Sequence, residues 1–377
     1  MKILHIISGL DTGGTELFLE RLVQSLDRDE FSHAVVALRN PGSVGPRLMQ
    51  ASIPVYALRA GMNTAGLRAV PALRGIVREH APDLIQGWMY HGNLGASLAR
   101  WLAGASCPVV WNIRHSLDGW HRERAGLRAM IRLGGRFSES AVRILFNSVA
   151  AARQHERFGY PRSKSIVIPN GFVCQRFRPD TDARLTTRRE LGFGDDTVII
   201  GMVARYHPVK DHATFLQAAK VLSEQTPQAR FLLVGRHTGR DNPVLRRLLE
   251  KHGLAGRVLA LGEREDIPAL MNAMDICVSS SRAEGFPNAV GEAMACGVPC
   301  VVTEVGASAE LVGDTGRTVP SHAPEPLAAA LLELVHAGNA QRRQLGMAAR
   351  ERILRHYEWS TVLHRYADCY KDVLAQS

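Results

Sequence analysis

Two glutamates, Glu284 and Glu292, lie in the segment Ser279-Ser-Ser-Arg-Ala-Glu-Gly-Phe-Pro-Asn-Ala-Val-Gly-Glu-Ala-Met-Ala-Cys-Gly-Val-Pro299. Paired carboxylates can hydrolyse glycosides, but this spacing argues against it. Eight residues of helix span roughly 12 Å and turn about 80° off one face, whereas hydrolase carboxylates stand about 5–9.5 Å apart. Separate duties fit better. A strand ending near Ser279 would hand over to a helix with Asn288 as N-cap, or with Pro287 in the first helical position. Gly297 is placed to cap its far end, with Pro299 just beyond. Free amides and the dipole at the helix start suit an anion such as a diphosphate. Glu284 could then accept hydroxyls at one end of an extended ligand, and Glu292 could take a second diol such as a ribose. The alternative is two glutamates on a solvated helix start.

Three further segments carry chemistry. Gly201-Met-Val-Ala-Arg-Tyr-His-Pro-Val-Lys-Asp211 sets Arg205 and Lys210 after an apolar strand, two cations that can share one anion. Ser8-Gly-Leu-Asp-Thr-Gly-Gly-Thr-Glu16 places Gly13 and Gly14 where a ligand could approach the backbone, although neither a dinucleotide fingerprint nor a P-loop is present. Trp111-Asn-Ile-Arg-His-Ser116 brings His115 to the end of another apolar strand. Surface cations, a ligand-free turn and a structural histidine are the competing readings. The six cysteines form no Cys-x-x-Cys and stand beside no histidine pair at zinc spacing, so no metal site is expected. They read as small buried hydrophobes of a reducing compartment.

These segments need rigid elements to hold them. The chain has 377 residues, 46% apolar and 22% charged, enough for two cored domains and too apolar for wholesale disorder. Strand patterns are expected at Lys2–Ser8, His33–Arg39, Val55–Arg59, Asp83–Trp88, Val109–Arg114, Val142–Asn147 and Ile166–Pro169. A second series is Val198–Ala204, Arg230–Gly235, Val258–Leu261, Asp275–Ser279 and Cys300–Glu304. Helical patterns alternate with them, among them Thr15–Leu26, Asp211–Glu224 and Ala289–Cys296. The fold class is therefore α/β: two Rossmann-like, doubly wound domains facing a cleft. The loop Pro169–Asp180 is the expected linker, giving domains 1–175 and 176–358. Ligands should lie beyond the carboxyl ends of the strands, where the four segments fall.

With those residues in place, the chain resembles the GT-B glycosyltransferases of the large retaining family 4. The ordered set carrying the likeness includes Gly13-Gly14, Asn147-Ser148, Ile168-Pro-Asn-Gly171, Arg205 with Lys210, Leu261-Gly-Glu-Arg-Glu-Asp-Ile-Pro268, and Glu284 with Glu292 running on to Pro299. The resemblance implies that Arg205 and Lys210 bind the donor diphosphate. It gives Glu284 the donor-sugar hydroxyls and the Phe286, Pro287, Asn288 and Ala289 segment the sugar and phosphate. Glu292 would hold the ribose, and Arg264 to Ile267 would border the base. His115 corresponds to the histidine that touches the sugar near its anomeric carbon. Metal-independent transfer with retention is implied, with no cofactor and a nucleotide-diphosphate-sugar as substrate, UDP-linked by preference and GDP-linked as the other choice. Residues 359–377 would pack back on the first domain, which would bind the acceptor. Ala307 departs from the glycine often found after Gly306.

The net charge of +10 is concentrated. Residues 100–178 carry 14 basic and 4 acidic side chains, while the rest of the chain balances to zero. Arg124, Arg128, Arg132 and Arg136 recur every four residues, with Leu127, Ile131 and Leu133 between them. This is either a solvated helix face or a surface for anionic lipid or a diphosphate-bearing acceptor. No nucleic-acid signature accompanies it. No apolar run approaches the ~20 residues of a membrane span, and the start is too soon polar for a secretory signal. The expectation is a cytoplasmic enzyme of polysaccharide or cell-envelope synthesis, peripheral on the inner face of the membrane, with a glycan or polyprenol-diphosphate-linked acceptor. An epimerase or hydrolase on the same fold and a non-catalytic anionic-surface binder are the alternatives.

Overall fold

The computed structural model describes residues 1–59, 65–194 and 196–376. The chain divides into two units, Met1–Asn170 with Ser360–Ser377, and Gly171–Trp359. The first passage between them falls inside the Pro169–Asp180 loop, at Asn170. Ser377, the end of the expected C-terminal helix, lies outside the described residues.

Among the described residues, the first unit holds β1 (Lys2–Ile7), β2 (Ser32–Ala37), β3 (Val55–Ala57), β4 (Leu84–Trp88), β5 (Val109–Ile113), β6 (Arg143–Phe146) and β7 (Ser165–Val167). They pair in the order β3-β2-β1-β4-β5-β6-β7, every neighbour parallel. The second unit holds β8 (Val198–Val203), β9 (Ala229–Val234), β10 (Val258–Gly262), β11 (Ile276–Ser279), β12 (Cys300–Thr303) and β13 (Arg317–Val319). Their order is β10-β9-β8-β11-β12-β13, again parallel throughout. Helices cover both faces, which is why β8 reads as an unbroken apolar run and β1 is buried continuously from Ile3 to Ile7 rather than at alternate residues.

Both sheets are doubly wound. The strand order reverses between β1 and β4 in one unit and between β8 and β11 in the other. Right-handed crossovers in opposite directions leave a crevice at such a reversal, at the carboxyl ends of the strands.

The twelve expected strands are present with ends shifted by one or two residues. The missed strand, β13, is three residues, Arg317-Thr-Val319, with Thr318 exposed at the sheet edge. An edge strand needs no apolar run to be held by its one neighbour.

The helix Trp359–Ala375 contributes to the first unit from Ser360 onward. Its Tyr366 and Tyr370 are fully buried. Tyr366 Oη accepts from Asn112 Nδ2 at 2.9 Å and Arg114 Nη1 at 3.1 Å, and Tyr370 Oη donates to Gln86 Oε1. Arg114 also donates to Asn170 Oδ1 and stacks 3.5 Å over the Phe18 ring. Among the described residues no helix is long and apolar enough to cross a membrane.

Candidate active site

The reversal between β8 and β11 brings two loops together in the second unit. After β8 the chain runs through Arg205 to the 3₁₀ turn Pro208–Lys210. After β11 it runs through Ser279–Pro287 into the helix Asn288–Ala295. Lys210 Nζ donates to Glu284 Oε1, which also accepts from Ser281 Oγ at 2.6 Å. The side chains of Lys210 and Glu284 keep 25% and 10% of their exposure. A small cavity here is lined by Lys210, Ser281, Glu284, Pro287, Asn288 and Ala289, among others. These residues are separated by up to 79 positions in the chain and meet only because β8 and β11 are neighbours.

A polar lock beneath the pair holds both loops. Asp211 follows Lys210 in the left-handed region, φ 49°, and caps the helix His212–Gln225. Its carboxylate, nearly inaccessible, accepts from Thr214 Oγ1 at 2.8 Å and Arg282 Nη2 at 2.9 Å, with His322 Nδ1 at 3.3 Å. Burial raises the Asp211 pKa, but the hydrogen bonds from Arg282 and Thr214 outweigh it and hold the carboxyl below its ordinary value. Arg282 N donates to Val209 O at 2.7 Å, and Ser280 Oγ donates to the carbonyls of Lys210 and Asp211. Thr303 Oγ1, at the end of β12, donates to Ser281 O at 2.6 Å. Gly306, φ +52°, lies under the Glu284 loop, and a Cβ there would sit 1.5 Å from Glu284 O. No side chain fits, so the glycine lets the loop close down on the sheet.

The helix start differs from the expectation. Pro287 is the N-cap and Asn288 the first helical residue, with no side-chain cap bond. Asn288 N donates back to Phe286 O at 3.0 Å, so the turn before the helix is already tight. The far end is as expected: Gly297, φ +76°, donates to Met294 O at 2.9 Å and Val298 N to Ala293 O at 3.0 Å, a Schellman motif.

The remaining candidates of this unit are placed as follows. Arg205 is exposed at the β8 exit. Phe286 is buried between Phe172 and Tyr357 and is not one of the residues that line the cavity. Glu292 is half-buried in the second turn of the helix. Arg264 pairs bidentately with Asp266 at 2.7 and 2.6 Å in the loop after β10, and Ile267 opens the next helix against the core.

Gly13, Gly14 and His115 belong to the first unit. Gly13 is the N-cap of the helix Gly14–Ser25 after β1, and Gly14 has open space around it. The Glu16 carboxylate folds back so that a Cβ on Gly13 would meet it at 2.3 Å. His115 is half-buried beyond β5, with Nδ1 3.0 Å from Tyr90 Oη and Nε2 3.4 Å from Glu123 Oε1. Burial lowers its pKa, partly offset by Glu123 and Asp118. Sequence reasoning missed Ser281, Arg282, Thr303 and Tyr90. The serine run at the end of β11 was the one visible signal.

Family models account for both units. The glycosyl transferases group 1 model matches residues 197–337, and the glycosyl transferase 4-like domain model matches residues 13–171. The chain belongs to the group 1 glycosyltransferases. Its paired parallel sheets have the GT-B architecture, and it is a glycosyltransferase. It is similar to EpsF of Bacillus subtilis, 27% identical over 326 residues, which is 80% of this chain and 79% of that one. It is 33% identical over 155 residues to the Escherichia coli UDP-Gal:alpha-D-GlcNAc-diphosphoundecaprenol alpha-1,3-galactosyltransferase, covering 40% of this chain and 39% of that one. HepE of Anabaena in complex with UDP matches with a TM-score of 0.86 at 25% identity, over 99% of this chain and 100% of that one. The UDP-glucose complex of the same protein matches with a TM-score of 0.83.

Proposed function

We propose that this glycosyltransferase moves a sugar from a nucleotide-diphosphate-sugar, UDP-linked by preference, to a glycan or polyprenol-diphosphate-linked acceptor of the cell envelope. Anomeric configuration is retained and no metal is used. The observation that carries the reading is the Lys210–Glu284 pair beside the start of the helix Asn288–Ala295, at the β8/β11 reversal. The similarity to a UDP-bound structure and to a diphosphoundecaprenol-directed galactosyltransferase supports the choice of donor and acceptor.

Arg205 and Lys210 take the leaving diphosphate, supplying the positive charge that a departing dianion needs. Glu284 holds the sugar hydroxyls, and Glu292 holds the ribose. Arg264 and Ile267 border the base, and the backbone of Phe286 to Ala289 meets the phosphate. His115 meets the sugar near its anomeric carbon. Without ligand, Lys210 is engaged by Glu284, so donor binding exchanges that bond for two, phosphate on the lysine and hydroxyl on the glutamate. Retention without a covalent intermediate then needs only attack on the face that the diphosphate leaves.

The enzyme works in the cytoplasm, with its basic face against the inner leaflet of the membrane. Exposed Arg124, Arg132 and Arg136 on or beside the helix Ala125–Phe137 accompany Leu133 and Phe137, 43% and 50% exposed. Ile131, by contrast, is fully buried in the core. Trp101, on the helix Met89–Ala103, is 76% exposed.

The test is a thermal-shift panel of UDP- and GDP-sugars, followed by nucleotide release with and without a polyprenol-diphosphate glycan. Stabilisation by a UDP-sugar and acceptor-dependent release are expected. Release that ignores the acceptor would instead support the hydrolase reading.

A further inference from the structure

The histidine beyond β5 is the end of a buried hydrogen-bonded row. Tyr90, second residue of the helix Met89–Ala103, follows β4; His115 follows β5; His155, in the helix Val149–Glu156, follows β6. Tyr90 and His155 are buried, at 3% and 0% exposure. Tyr90 Oη lies 2.8 Å from His155 Nε2 and 3.0 Å from His115 Nδ1, and His155 Nδ1 lies 2.7 Å from Ala151 O.

The direction of every proton follows from the far end. Ala151 O can only accept, so His155 Nδ1 carries a hydrogen and donates it. Burial keeps His155 neutral, its pKa lowered to about 4, so its Nε2 is an acceptor. Among the described residues the donor facing that nitrogen is the Tyr90 hydroxyl, and burial holds that hydroxyl protonated. The Tyr90 oxygen is then left to accept from His115 Nδ1–H. His115 Nε2 is the one ring nitrogen left to gain or lose a proton. The charged and titratable groups facing the ring are Glu123, Asp118, Tyr90 and His155.

We infer that Tyr90 and His155 are positioning residues that lock His115 in the Nδ1–H tautomer, so that Nε2 is the nitrogen it presents to substrate. The inference rests on the assignment of His115 to the donor sugar for its catalytic consequence. The tautomer itself does not depend on that assignment. A neutral imidazole is a donor on one nitrogen and an acceptor on the other, so its tautomer decides whether it can accept from a sugar hydroxyl. In the Nδ1–H form Nε2 accepts. Protonation there turns it into a donor, held by Glu123.

The test uses the full-length protein labelled with ¹⁵N-histidine. Long-range ¹H–¹⁵N spectra at neutral pH, assigned with His115→Gln and His155→Gln, should show both rings in the Nδ1–H form. Tyr90→Phe should move His115 toward the Nε2–H form, now free to face Glu123, and leave His155 on Ala151 unchanged. In the transfer assay the same variant should lose turnover at unchanged donor KM. The loss should be at least ~10-fold, the lower end of what removing a ring-orienting partner costs at metal-binding histidines. A wild-type His115 in the Nε2–H form, or a Tyr90→Phe ring that keeps its tautomer, overturns the lock. An intact lock with wild-type turnover in Tyr90→Phe overturns its catalytic role. Absence of any sugar transfer by the wild type would sink the proposed function while leaving the tautomer result standing.

Discussion

At the residue scale, the Lys210–Glu284 pair alters what substitution should do. From sequence, both cations read as exposed groups whose loss costs turnover and little stability. Arg205 fits that description, but Lys210 is tied to a glutamate that is nine-tenths buried. Lys210→Ala and Arg205→Ala should each lower turnover ~100-fold or more, as removing an electrostatic stabiliser of a leaving group does. Only Lys210→Ala should also destabilise the second unit, by ~1–3 kcal/mol, because the largely buried Glu284 carboxylate loses its cation and is left with the Ser281 hydroxyl. Steady-state kinetics and urea unfolding of the two variants check this. Near wild-type rates in either would remove the diphosphate assignment. Glu284→Gln should impair turnover or sugar choice, and Glu292→Ala should mainly weaken nucleotide binding, since one precedes the helix and the other rides on it. Titration calorimetry with UDP decides between them: equal losses of affinity would contradict the split.

At the scale of elements, the basic helix is where pattern and structure part. Four-residue spacing drifts about 40° per step around a 3.6-residue helix. Four arginines from 124 to 136 therefore wind around the surface rather than forming one line. Arg128 is half-buried, and Ile131 points into the core. The apolar partners of the exposed arginines are Leu133 and Phe137, the second of which carried no weight in the sequence pattern. Each basic residue near an anionic surface contributes about 1 kcal/mol, screened by salt. The protein should bind vesicles containing anionic lipid at low salt and release them at high salt. Arg124→Glu, Arg128→Glu and Arg132→Glu together should abolish that binding and leave UDP affinity unchanged. Co-sedimentation in which the wild type ignores such vesicles at low salt makes the helix a solvated face. The strands were legible because both faces of a parallel sheet are buried, which writes apolar runs into the chain. The order in which they pair was not. The bond from Lys210 to Glu284 follows from that order, and so do Tyr90 and His155 meeting His115. Side chains that act from neighbouring strands leave no spacing to read.

At the scale of the whole molecule, the buried imidazoles set an acid limit. Burial lowers His33 and His155 to about 4 from 6.5, and His5 in the same unit is lowered well below its ordinary value. His5 and His33 share a hydrogen bond at 3.0 Å, with Trp88 Nε1 donating to His5 Nδ1. The unfolded chain binds protons on these rings below pH 6.5 and the folded one does not. Stability is therefore full above that pH and lost as pH falls from 6.5 toward 4. For His33 and His155, shifts of this size weaken folding by ~3 kcal/mol apiece by the low end of the window, a large part of a domain's stability. Four of the five tryptophans lie in the first unit, so tryptophan fluorescence in urea follows it. Its midpoint should drop steadily between pH 6.5 and 4.5. A flat midpoint would mean that these rings are protonated in the folded protein.

The last helix sets an order of events during synthesis. Gln86, Asn112 and Arg114 emerge from the ribosome before the second unit, yet Tyr366 and Tyr370, which meet them in the core, are made after it. Between the two stands the whole of Gly171–Trp359, a continuous stretch that needs nothing from the end of the chain to fill its own core. Arg114 and Tyr366 are 252 positions apart, so at ~5–20 residues per second the delay is on the order of 13–50 s. The unit that holds β1 is therefore completed only after the second unit has been made. Until the helix Trp359–Ala375 has emerged, Gln86, Asn112 and Arg114 lack the tyrosine hydroxyls that meet them in the finished core.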